Sequence, residues 1–146
     1  INEKSSYLEK YLHNSININS GKIGVLMSFK SNRKTEDVTD FSKNICMHIA
    51  ATDPKSINIG SLDKNLVDKE RSIYIEQLKS SNKPDDIIEK IVEGKIKKFY
   101  QEVCLLEQTF VMDNKMKVNE CISIFNKEHN EIFEINNYVI FKLGQE

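Results

Sequence analysis

Apolar positions recur along this chain in two rhythms. Residues near Tyr7 to Ile18 alternate weakly and run into Asn17-Ile18-Asn19-Ser20-Gly21, a cluster of turn formers. Ile23 to Phe29 follows as a run of apolar and branched side chains, so the two segments predict a β-hairpin. Beyond it the spacing lengthens. Phe41, Ile45, His48 and Ile49 recur at helical intervals between an opening Thr35-Glu36-Asp37 and about Ala51, and Pro54 forbids much continuation. That pattern predicts a helix covering one face of the hairpin.

Ser61 and Asp63 are candidate N-caps of a second helix to about Lys79, with Leu62, Leu66, Ile73 and Leu78 as a narrow apolar stripe. In the connection Ser80 to Asp86, Pro84 suits a first helical turn and Asp85 and Asp86 suit the positive end of a helix dipole. A third helix then returns to about Val103, its stripe formed by Ile88, Ile91, Val92, Ile96, Phe99 and Val103. Each arm would reach roughly 25 to 30 Å at the usual helical rise, which predicts an antiparallel helical hairpin projecting from the body. Gly94 interrupts the returning arm at a cost of about 1 kcal/mol relative to alanine, for which close packing or a bend are the two explanations. After Asp113 and Asn114, Val118 to about Glu128 reads as a short helix. Glu134 to Leu143 places Ile135, Val139 and Phe141 in a strand-like rhythm. The expected fold class is therefore α+β, a small antiparallel sheet of about three strands backed by helices, with the helical hairpin inserted. Residues 1–62 and 104–146 are expected to form the core subdomain and 63–103 the hairpin.

Charge narrows the partners. The 146 residues carry a net charge of −1 with 29% charged side chains of mixed sign. No global positive field favours nucleic acid, and no basic amphipathic helix calls for a membrane. No apolar stretch approaches the roughly 20 residues of a membrane span, and no secretory signal core opens the chain. The expected location is the cytoplasm. Residue 1 is isoleucine where an initiator methionine would stand, so the numbering is expected to start inside a longer protein.

The chemistry of an enzyme is hard to assemble from these residues. Cys46, Cys104 and Cys121 match neither a zinc pattern nor a redox pair and read as reduced thiols. Cys46 and His48 tempt as nucleophile and base, yet residues two apart lie about 200° apart around a helix and cannot face each other. The 5 glycines form no phosphate-cradling loop, so direct nucleotide binding is not expected, nor is a cofactor or metal. Tyr74, Phe99 and Tyr100 fall on predicted helices, as core rather than as base-stacking platforms. Lys95, Lys97 and Lys98 read as a solvated face.

One string is too particular for propensity alone: Lys90-Ile91-Val92-Glu93-Gly94-Lys95-Ile96-Lys97-Lys98-Phe99-Tyr100, continuing through Glu102-Val103-Cys104-Leu105-Leu106-Glu107-Gln108 to Phe110-Val111-Met112. It resembles the signature of bacterial elongation factor Ts. Lys22-Ile23-Gly24-Val25-Leu26 and Met47-His48-Ile49-Ala50-Ala51-Thr52-Asp53-Pro54 agree with it, in the order that family shows. The resemblance implies a translation elongation factor that exchanges GDP for GTP on elongation factor Tu in protein biosynthesis, without covalent chemistry. It implies partner contacts at Ile23 and Gly24, at His48, and at Val111 and Met112. Adjacent apolar side chains in an extended piece point opposite ways, so Val111 and Met112 can rarely both enter one core.

The match extends to the C-terminal half of the family pattern. The family's N-terminal helical module and its Thr-Asp-Phe-Val wedge motif have no counterpart. Thr39-Asp40-Phe41-Ser42 looks like that motif but lies downstream of the Ile-Gly-Val-Leu strand, where the family places it upstream, so Phe41 is not assigned the wedge role. Asn14 to Gly21 also replaces a shorter family turn. Two other readings stand beside this one. The helical hairpin could dock partner helices or a second copy of the chain, with no exchange role, and a cysteine enzyme could centre on Cys46 or Cys104.

Overall fold

The computed structural model describes residues 5–13 and 22–143, so the turn expected at Asn17 to Gly21 lies outside the described residues. The chain divides into two compact units, one formed by residues 1–53 and 109–146 and the other by residues 54–108.

The first unit is built on a three-stranded antiparallel sheet. Its strands are β1 (Ser5–His13), β2 (Lys22–Ser31) and β5 (Glu134–Leu143), with β2 in the centre. The α+β expectation, including this third strand, holds. Alternation assigns the faces. Val25, Met27 and Phe29 of β2 point inward and are buried, as is Ile135 of β5. Helix α1 (Glu36–Thr52) packs against β1 and β2. It starts where the chemistry predicts: Thr35 Oγ1 accepts the Val38 N–H at 3.2 Å, with Glu36 and Asp37 in the first turn. It ends on Asp53 in the left-handed region (φ 46°). Helix α4 (Val118–His129) closes the core from the far end of the sequence. Phe41 of α1 stacks on Phe125 of α4, centroids 4.2 Å apart, and meets Phe133 edge-on at 5.1 Å; Phe133 in turn stacks on Phe29. Phe41 is therefore committed to this aromatic cluster.

The same unit holds a small hairpin that hydrophobic periodicity did not reveal, β3 (Thr109–Phe110) and β4 (Asp113–Lys117). Val111 and Met112 form its two-residue turn, not an extended piece. Two strands this short leave no alternation to read.

In the second unit, α2 (Lys64–Lys79) and α3 (Asp85–Val103) form the antiparallel hairpin. Asp63 caps α2 by accepting the Asn65 N–H. At the base, Lys55 N–H donates to Val103 O (2.7 Å) and Leu105 N–H to Ser56 O (2.8 Å), tying the entering and leaving segments together. Ile88, Val92 and Ile96 form the buried seam, and Val67, Tyr74, Ile75, Leu78 and Tyr100 pack on it. The α2 stripe thus differs from expectation: Leu66 and Ile73 remain 40% exposed, while Val67 and Tyr74, one position on and about 100° further around the helix, face the partner arm. Tyr74 carries apolar surface that a count of aliphatic side chains undervalues.

Candidate partner-binding site

The candidate site grows from the C-terminal half of α1. The connection from β2 is only residues 32–35, so the helix turns back along the strand it follows. Its buried side is Val38, Ser42, Ile45, Cys46, His48, Ile49 and Ala50. Two of its polar members, Ser42 and His48, are hydrogen-bonded. Ser42 Oγ–H donates to Glu9 Oε1 of β1 at 2.7 Å. Burial, and after it the Glu9 carboxylate, pushes the Cys46 thiol up to about 12, so it is a thiol and not a thiolate near neutrality.

His48 has no solvent exposure. Its Nδ1 accepts the backbone N–H of Val111 at 3.1 Å, and its ring lies 5.5 Å from that of Phe110. An accepting Nδ1 means a neutral ring with its proton on Nε2. His48 is thus engaged with the β3–β4 hairpin, while Cys46, two residues earlier, is a buried thiol on a different side of the helix.

Phe110 is buried, anchoring β3, and the chain then reverses through Val111 and Met112, which are 45% and 53% exposed. Two-residue hairpin turns favour left-handed backbone supplied by Asn, Asp or Gly. Neither Val111 nor Met112 has positive φ; among the described non-glycine residues only Asp53, Asn82 and Asn130 do. The register between β3 and β4 shifts at Thr109/Phe110 instead. A turn of unfavourable sequence thus projects two adjacent apolar side chains into solvent.

Ile23 and Gly24 lie at the start of β2. Ile23 is half-buried and pairs with Lys142, and Gly24 pairs with Leu12 and Phe141. Gly24 is buried under the Phe141 ring, and a Cβ there would penetrate it. The structure therefore joins His48 directly to Val111. It leaves Val111 and Met112 exposed, and it covers His48 and Gly24 with neighbouring groups.

Sequence reading did not single out the outer face of the sheet. Leu12, Gly24 and Phe141 form one cross-strand row, and Lys10, Leu26 and Val139 the next. Leu8, Leu12, Val139 and Phe141 are each 40% exposed or more, and Leu12 and Phe141, with Lys10, Tyr11, Val25 and Leu26, line a groove of about 470 Å³. The signal was present in β1, where Tyr7 and Tyr11 occupy one face and Leu8 and Leu12 the other, apolar on both sides. Among the described residues, no His, Cys, Asp or Glu cluster is placed to hold a metal ion, and no helix is long and apolar enough to cross a membrane.

The site is thus an exposed apolar turn held from beneath by the buried His48 of α1. The chain belongs to the elongation factor Ts family, whose model matches residues 1–145. It is 42% identical to elongation factor Ts of Rickettsia bellii over 136 residues, covering 92% of this chain and 44% of that protein. It is 40% identical to the Ehrlichia ruminantium (strain Gardel) protein of that name over 135 residues, 92% of this chain and 47% of the other. Against Bartonella bacilliformis elongation factor Ts the identity is 39%, over 92% of this chain and 44% of that protein. The chain thus spans somewhat under half the length of these relatives.

Proposed function

We propose that this chain binds elongation factor Tu in the cytoplasm and promotes exchange of its GDP for GTP during protein synthesis. The observation that carries the reading is the solvent-facing Val111–Met112 pair, apolar and adjacent at the tip of a braced turn. The family resemblance extends the site to Ile23 and Gly24 of β2 and His48 of α1, of which Gly24 and His48 lie beneath neighbouring groups. Neither a catalytic acid nor a base is required. A protein that binds the nucleotide-free GTPase more tightly than the GDP-bound one must weaken GDP binding by the same factor.

Because the chain spans under half the length of its relatives, it is expected to dock weakly and to exchange slowly unless joined to the remainder. Stopped-flow release of a fluorescent GDP from bacterial elongation factor Tu, titrated with this chain, measures exchange; a binding titration measures docking. Replacing Val111 and Met112 together by aspartate should weaken docking by at least a hundredfold, since two charges would be desolvated in an apolar contact. Helicity should be retained. Unchanged affinity in a folded variant would remove the turn from the interface.

A second reading rests on Leu66, Ile73 and Ile87, each at least 40% exposed on the helical hairpin. In that reading the hairpin docks another helix or a second copy, and deleting residues 68–103 abolishes association.

A further inference from the structure

We infer that His48 is a positioning residue: its buried Nδ1 holds the Val111–Met112 turn in its docking shape, and the imidazole acts through that turn instead of touching the partner. The inference rests on the docking surface proposed above but assigns His48 a different part in it. Three observations converge. The side chain has no exposed surface with which to meet another protein. Its Nδ1 accepts the N–H of Val111, the first residue of the turn, at 3.1 Å. The turn also lacks the glycine or asparagine that would stabilise it locally, and neither of its central residues adopts the left-handed backbone that two-residue hairpins favour.

A turn without intrinsic preference samples several shapes in isolation, and each immobilised residue of a binding loop costs affinity when the partner must order it. The His48 acceptor and the adjacent Phe110 ring, 5.5 Å away, meet that ordering cost before docking. Substitution at His48 leaves Val111 and Met112 themselves in place, so it should weaken binding mainly through faster dissociation.

The chain labelled with nitrogen-15 provides a direct signature, a scalar coupling across the hydrogen bond between the Val111 amide nitrogen and His48 Nδ1. His48→Leu removes the acceptor; His48→Asn returns an amide oxygen one bond past Cγ, where Nδ1 stands. The coupling should be present in the wild type. His48→Leu should mobilise Val111 and Met112 in NMR relaxation and weaken binding to elongation factor Tu by about tenfold, equivalent to ~1.4 kcal/mol. His48→Asn should restore affinity to within about threefold, as one neutral hydrogen bond for another allows. Absence of the coupling, or a folded His48→Leu variant that binds as tightly as wild type, would overturn the inference. Should His48→Leu fail to fold, the wild-type coupling and the Asn variant decide between a shared acceptor and a ring-specific contact, the latter overturning it. Failure of the wild-type chain to bind would instead sink the docking proposal, and relaxation of the turn in the free variants would still judge His48.

Discussion

Glu131 shows how a single side chain can join distant segments. It is 6% exposed, and its carboxylate accepts the N–H of Asn32 at 2.5 Å and of Ile132 at 3.1 Å, linking the end of β2 to the start of β5. Burial pushes its acidity one way, but the amide hydrogen bonds from Asn32 and Ile132 and the Arg33 charge outweigh it, leaving the carboxyl below its ordinary value. A carboxyl with a folded value below the unfolded one binds fewer protons in the native state. Its contribution is therefore complete above the unfolded value of about 4.3 and is lost as pH falls through the folded value. Glu131→Gln should destabilise the protein by about 1 to 3 kcal/mol at neutral pH, with the gap to wild type narrowing as pH falls below about 4. Urea unfolding across a pH series checks this, and a gap independent of pH would refute the charged role. Gly24 makes a different point at the same scale. Beside the partner contact that the family resemblance implies for it, the structure gives it the local task of admitting Phe141 across the strand pair.

At the scale of elements, Gly94 now has one explanation fewer. A Cβ added there meets nothing within 4 Å, so close packing does not account for the glycine. Its backbone lies within a continuous helix, α3, on an exposed position. Gly94→Ala should raise stability by about 1 kcal/mol, because alanine loses less backbone freedom on entering a helix. A thermal melt that shifts downward would mean that α3 needs flexibility at this point. The helix boundaries were legible because caps and breakers act locally: Thr35 and Asp63 accept amide protons in their own first turns, and Pro84 directly precedes α3. The β3–β4 hairpin was illegible for the opposite reason. It is held by His48, 63 residues earlier in sequence, and by a buried Phe110, neither of which leaves a local pattern.

At the scale of the molecule, the two units differ in how much they bury. The first has its sheet, α1 and α4 around the Phe29, Phe41, Phe125 and Phe133 cluster, whereas α2 of the second unit has no buried residue and α3 has Ile88, Val92 and Ile96. Local opening free energies follow the burial of apolar side chains. Backbone amides of α2 should therefore exchange with solvent deuterium well ahead of those in α1 and β2. Equal protection across both units, read by mass spectrometry at peptide resolution, would contradict that ordering. The ion pair of Arg71 with Glu93 joins α2 to α3, but both side chains are substantially exposed, so it adds little to this balance.

By itself the sequence determined the α+β class, the three principal strands, the four helices with the N-terminal signals of the first three, and the string by which the family is recognised. These are properties of periodicity, capping and ordered motif, all carried by residues close together in the chain. Only tertiary structure decided which face of α2 meets α3, that Gly24 lies beneath Phe141, and that His48 is enclosed while Val111 and Met112 are presented. The physical reason is that exposure belongs to what a residue packs against. His48 sits at a helical spacing shared by core and surface residues alike, and its role was set when Val111, remote in sequence, brought its amide to Nδ1.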